Sequence, residues 1–199
     1  MITEEKTGAK NINRLVLHEG RPEDESGRSE REIRTYDFLD KLGIKYGRMD
    51  HEPVTTIEAC DAVDEALGFH ICKNLFLCNK KKTEFFLLMM PGLKTFKAKE
   101  LKPQLETAGR LSFAHEDKML EYLDIKPGAV SVMGLMNDHD NHVQLLIDSE
   151  LAADEFIGCH PCECTTSLKI RTADIMKEFL PAVHHEPIIV KLTGKDPEA

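Results

Sequence analysis

Six consecutive apolar residues, Phe85 to Met90, constrain this chain more than any other feature. A run that short cannot cross a bilayer, and it is shorter than the helices of an ordinary folded domain. Followed by Pro91, it reads as a strand covered on both faces. The preceding segment, ICKNLFLCN, is equally apolar, and Lys80-Lys81-Lys82-Thr83 joins the two, which predicts a β-hairpin. A strand hidden on both faces needs a layer of structure above it and another below. The remaining residues must supply both.

Their patterns supply the pieces. REIRTYDFLDKLG carries Ile33, Tyr36, Leu39 and Leu42 at helical spacing, with Gly43 placed as a C-terminal cap. IKYGRMDHEP predicts a short strand, and Thr55-Thr56 opens a helix over IEACDAVDEALG, with Glu58 near its start and Gly68 at its end. Helical signals follow at 97–107 and 115–124, and Pro127-Gly128 turns the chain into AVSVMGLMN. VQLLID, the segment around Phe156-Ile157 and TTSLKI predict strands, and TADIMKEFL predicts a closing helix. Strands and helices without regular βα alternation indicate an α+β domain built around a mixed β-sheet surrounded by helices. Residues 1–30 are polar and read as a partly mobile extension, in which Leu15-Val16-Leu17 is a patch that could dock on the domain. The domain proper is expected over 31–182, with a C-terminal strand and tail over 183–199. The start, MITEEKTGAKNINR, lacks the apolar run of a signal peptide, so a soluble, cytoplasmic protein is expected.

Lys73 is the clearest chemical signal. On an alternating strand it shares a face with Ile71, Leu75 and Leu77, and an ammonium there must either reach water at the rim or meet an anion. Between residues 73 and 102 eight lysines face only Glu84 and Glu100, a local excess of six positive charges in a chain whose net charge is -9. That stretch either solvates a turn and a helix face or forms a footprint for an RNA backbone. The acidic total argues against a general nucleic-acid binder, and no DNA partner is expected, but it leaves room for a protein that grips only a few phosphates. Cys159-His160-Pro161-Cys162-Glu163-Cys164 brings zinc to mind, but the spacing is cramped and a second ligand pair is missing. A Cys-His nucleophile is also weighed; positions this close on one strand seldom give the geometry. The favoured reading is a buried or pocket-lining histidine among inert cysteines. Gly128 serves as a turn residue or lets a ligand approach backbone amides. Asp138 to His142 reads as a polar hairpin tip, and His184 and His185 as surface residues.

Together the segments ICKNLFL, FFLLMMPG, LSFAHEDKMLEYLDIKPGAVSVMGLMND, VQLLID and GCHPCECTTSLKI resemble the YbaK/ProX family, in that family's order and over residues 31–182. This is the editing domain inserted in or associated with prolyl-tRNA synthetases, and the nearest likeness is to the free-standing ProX or PrdX branch. The resemblance implies a trans-acting deacylase of misacylated tRNA, Ala-tRNA(Pro) above all, working without cofactor, metal or membrane. It also implies prolyl-tRNA synthetase as a second partner. Lys73 matches the family's functional lysine at the phosphate or ribose end of the substrate, and His160 matches the histidine of its His-Pro segment. Gly128, Ala129, Val130, Ser131 and Val132 match the loop beside the amino-acid group. Val132 stands where many members have proline, which bears on amino-acid specificity. Cys164 stands where many have asparagine, which bears on hydrogen bonding around the pocket. Two other outcomes remain open to the sequence: a non-catalytic module of this fold that binds tRNA or an amino acid, and a zinc-stabilised interaction protein.

Overall fold

In the computed structural model, which describes residues 15–53, 57–68, 71–105 and 110–194, the elements alternate irregularly along the chain. β1 (His18–Glu19), α1 (Glu30–Lys41), β2 (Tyr46–Asp50) and α2 (Ile57–Leu67) precede a hairpin of β3 (Lys73–Cys78) and β4 (Phe85–Met90). A short α3 (Ala98–Leu101), β5 (Ser112–Phe113), α4 (Glu116–Leu123) and a 3-10 turn over Val132–Asn137 lead to β6 (Val143–Asp148). Then come α5 (Ser149–Ala153), β7 (Phe156–Cys159), β8 (Thr166–Arg171), a helical stretch over 172–182 and β9 (Ile188–Val190). Among the described residues no helix is long and apolar enough to cross a membrane.

The apolar run is the middle of the molecule. β4 lies between β3, antiparallel to it, and β6, parallel to it, in a five-stranded mixed sheet of spatial order β5-β3-β4-β6-β9. All six of its residues are buried, and they alternate between two cores. Phe85, Leu87 and Met89 enter the larger core, with Tyr36 and Leu39 of α1 and Ile157, Leu168 and Ile170 of β7 and β8. Phe86, Leu88 and Met90 enter the second, with Leu101, Leu105, Leu146 and Val190. Each side chain so covered contributes roughly 1.5–3 kcal/mol of transfer free energy. The second sheet, β1-β2-β8-β7, is wholly antiparallel. Strand patterning does not separate it from the first, because periodicity reports which face is apolar and not which strand lies alongside. The two sheets meet where the Cys72 amide donates to Gly158 O.

Local signals hold where the chemistry is local. Ser29 caps α1 by accepting from the Glu32 amide, and Gly43 ends it with φ +69°. Gly68 closes α2 in the same way, at φ +80°, while Thr55, Thr56 and the side chain of Glu58 lie outside the described residues. Leu15 finds its partner in Met49, Val63 and Leu67. Of the helix expected over 97–107, the described residues, which run to Leu105, form only α3, and 106–107 lie outside the described residues. Pro103 brings no amide to continue the ladder, and Gln104 instead closes a turn on Leu101 O. AVSVMGLMN provides the 3-10 turn, capped by Ser131. Its Gly134 packs so closely that a β-carbon there would lie 2.5 Å from Ile125 Cδ1 and 3.0 Å from Leu123 Cβ. Gly134→Ala is therefore expected to cost about 1–3 kcal/mol, read as a lower denaturation midpoint with an unchanged m-value.

One polar group overturns a surface assignment. Asp138 is only 2% exposed, and its carboxylate accepts from the amides of His142 and Val143, at 2.9 and 2.7 Å. His185, also buried, lies 3.2 Å from the same carboxylate and donates its Nδ1 proton to Val183 O. The hairpin tip is thus anchored rather than solvated, and of the two C-terminal histidines only His184 is exposed. Burial alone would raise the Asp138 pKa; the hydrogen bonds from His185 and the two amides outweigh it and hold the carboxyl below its ordinary value of 3.8.

Candidate active site

The junction of the two sheets gathers most of the residues singled out above. β7 ends at Cys159, and the chain turns through His160-Pro161 before β8 begins at Thr166. Across that turn His160 Nδ1 lies 2.7 Å from Thr166 O. A carbonyl only accepts, so Nδ1 carries the proton and Nε2 keeps its lone pair. Burial lowers the His160 pKa below 6.5; the Thr166 carbonyl opposes this and His51 adds to it. A neutral imidazole with an acceptor nitrogen is the state this environment selects near pH 7.

The loop after α4 approaches His160 from one side. Gly128 adopts φ +92° at an exposed position, a conformation that suits glycine. Ser131 is fully buried; its Oγ donates to His160 O at 2.5 Å and accepts from the Met133 amide. Ala129 and Val132 are buried in the larger core, because they lead into the 3-10 turn that packs there, while Val130 is half-buried. Of the five loop residues, only Gly128 and Val130 reach the surface. Cys164 is half-buried against the same core, with its amide on Glu163 Oε1.

Lys73 begins β3 one residue after Cys72, and its side chain takes the other face of the sheet. There it shares the surface of Leu75 and Leu77, whereas Ile71 packs beside Met49 instead. Its exposed Nζ donates to Lys94 O at 3.1 Å. Lys94 is itself clamped, its ammonium bonding Asp148 at 2.9 Å and Leu192 O at 2.7 Å. Among the described residues no hydrogen bond joins Lys73 to His160 or to the 128–132 loop. They are neighbours through the backbone, by way of Cys72 and Gly158.

Two residues at this junction carry no local sequence pattern. His51 lies with its ring centroid 6.1 Å from that of His160 and accepts from Ser167 Oγ at 2.9 Å. Asn74 turns toward Cys72, with Nδ2 3.5 Å from Sγ, and among the described residues its buried Oδ1 has no hydrogen-bond partner. Cys72, Cys159 and Cys162 behave as small buried hydrophobes. Burial pushes the Cys72 and Cys162 thiols up to about 12 and Cys159 well above 9, so none is a ready thiolate. Among the described residues no group of three His, Cys, Asp or Glu side chains is arranged to hold a metal ion.

Residues 51–178 match the aminoacyl-tRNA editing domain family. The prolyl-tRNA editing protein ProX of Acetoanaerobium sticklandii is 32% identical over 139 residues, covering 70% of this chain and 84% of that protein. The prolyl-tRNA synthetase associated domain-containing protein 1 of Danio rerio is 31% identical over 156 residues, covering 77% and 83%. The crystal structure of hypothetical protein APE2540 superposes with a TM-score of 0.59 at 14% identity, over 80% of this chain and 98% of that one, and shows the shared fold.

Proposed function

Because this chain belongs to the aminoacyl-tRNA editing domain family, we propose that it is a trans-acting deacylase that hydrolyses the ester of misacylated tRNA, with Ala-tRNA(Pro) as its preferred substrate. The observation that carries the reading is the state of His160, a neutral imidazole whose Nδ1 is committed to Thr166 and whose Nε2 is left as an acceptor. Nε2 would orient a water toward the ester carbonyl. The water oxygen bonds to the carbonyl carbon, the bond to the ribose oxygen breaks, and a proton from that water passes to the ribose oxygen, leaving the free amino acid and a ribose hydroxyl. An aminoacyl ester is already activated, so positioning and stabilising the developing oxyanion can provide much of the acceleration. Neither a metal nor a covalent nucleophile is needed for that step.

Lys73 would hold the phosphate or ribose of the terminal adenosine. The loop from Gly128 would present backbone groups to the amino acid, with Ser131 fixing it against the His160 carbonyl, while Ala129, Val130 and Val132 set its shape and Cys164 lines the far side. Cognate proline would be excluded by the bulk of its ring, the direction in which a pocket discriminates most easily. Prolyl-tRNA synthetase, able to recharge the released tRNA, is the expected second partner.

The test is a panel of Ala-, Cys-, Ser- and Pro-charged proline tRNA with wild type and His160→Gln. Hydrolysis of Ala-tRNA with Pro-tRNA spared, and a roughly 100-fold loss in the variant, is the expected result. The acid limb of wild-type turnover should fall below pH 6.5, since His160 must be unprotonated and its pKa is depressed. A folded protein that turns over no member of the panel would instead be a binding module of the same fold.

A further inference from the structure

A groove of about 950 Å³ runs between α3 and β5, with neither His160 nor the 128–132 loop in its lining. Lys80, Lys97, Lys99, Lys102 and Arg110 line it, and among the described residues no acidic side chain does. Five cations therefore share one concavity on a chain whose net charge is -9. Phe113 stands at its edge, 66% exposed on the outermost strand of the five-stranded sheet. Phe96 packs against that ring at 6.0 Å with the planes 60° apart, which steadies it without covering it. A large aromatic side chain left in water beside a row of cations is the combination that holds a nucleic-acid strand, with phosphates on the ammonium groups and a base on the ring.

We propose that this groove is a second RNA contact, which takes the sugar-phosphate backbone of the tRNA and stacks one base on Phe113. That the RNA is a tRNA rests on the deacylase reading above; the chemistry of the groove does not. β3 ties the two places together, because it carries Lys73 at one end and pairs Leu77 with Phe113 near the other. Four residues of strand separate them by about 13 Å, within reach of one RNA strand. The site around His160 meets an end common to all tRNAs, so affinity for the rest of the molecule has to come from elsewhere. An anionic membrane suits the groove less well. The surface is concave, one aromatic ring is a poor anchor, and the acidic remainder of the protein is repelled by the bilayer plane.

The experiment measures binding of uncharged proline tRNA to the full chain across a salt series, for wild type, Lys102→Ala/Arg110→Ala and Phe113→Ala. The double variant is expected to bind about tenfold more weakly near physiological salt, with the slope of log K against log salt reduced by about 2. Phe113→Ala is expected to lose about tenfold with the slope unchanged, and Phe113→Tyr to restore it. Turnover of alanyl-adenosine, too small to reach the groove, reports on the ester site alone. Wild-type affinity and slope in both variants overturn the groove, as does a general loss of tRNA binding and alanyl-adenosine turnover together. Stronger capture by phosphatidylserine vesicles than by tRNA, lost in the same variants, overturns it in favour of a membrane. Groove-dependent tRNA binding by a protein that hydrolyses no ester upholds the groove and removes the deacylase reading.

Discussion

Lys73→Ala is expected to lower deacylation of Ala-tRNA(Pro) by about 10²- to 10³-fold, the usual loss when one charged contact to the reacting end of a substrate is removed. The fold should be unaffected. Lys73 is exposed, and among the described residues its side chain makes one hydrogen bond, to a carbonyl that Lys94 already holds in place through Asp148 and Leu192. Exposed contacts of this kind contribute within about 1 kcal/mol of stability, so thermal midpoints of variant and wild type should agree to a few degrees. Lys73→Arg keeps the charge but changes its shape and reach, and it should recover part of the activity. Full turnover in Lys73→Ala would place the anion contact elsewhere, with the basic groove the first alternative.

Asp138→Ala should produce the largest loss of stability, about 3–5 kcal/mol, because it strips the partner from the buried amide of Val143, the amide of His142 and the imidazole of His185 at once. For a chain of this length the thermal midpoint would fall by on the order of 10 °C. Asp138→Asn, which keeps the shape and one acceptor oxygen, should lose less. The pH dependence has a definite sign. The folded-state pKa of Asp138 is depressed, so its contribution is fully present above the unfolded value near 3.8 and disappears as pH falls through the lower folded value. The gap in stability between wild type and Asp138→Asn should therefore be constant from pH 7 to 5 and close below about pH 4. A gap that persisted at low pH would mean that packing, and not the charge, carries the effect.

Much of the candidate site was legible from residue order. Lys73 stood out as an ammonium on an apolar strand face, and the structure keeps it beside Leu75 and Leu77. His160 stood out among cysteines, of which Cys159 and Cys162 proved buried with their thiols pushed up by that burial, and Gly128 as a turn that does adopt positive φ. His51 was not legible, because a histidine before Glu-Pro has no pattern until β2 is laid against β8 and Ser167 arrives 116 residues later in sequence. Asn74 was hidden by the same strand that revealed Lys73, since its neighbour's charge drew attention to the opposite face. Asp138 and His185 looked like surface residues because each is polar and set among polar neighbours. Their mutual contact, across 47 positions, together with the amides of His142 and Val143 and the carbonyl of Val183, makes burying both tolerable.

Sequence by itself therefore determined what depends on neighbours along the chain. A run of six apolar residues closed by a proline reads as a strand covered twice, and glycines 43 and 68 end helices because the left-handed turn costs them little. The tertiary structure alone decided what depends on neighbours in space. It separated the antiparallel sheet from the mixed one, joined Ser131 to His160, placed Lys73 on the far side of the junction, and buried a carboxylate against an imidazole. The physical reason is the range of the forces involved. Backbone sterics and hydrophobic periodicity act over a few residues, whereas pairing, burial of charge and the pKa of a histidine are set by atoms that the chain brings together only once it has folded.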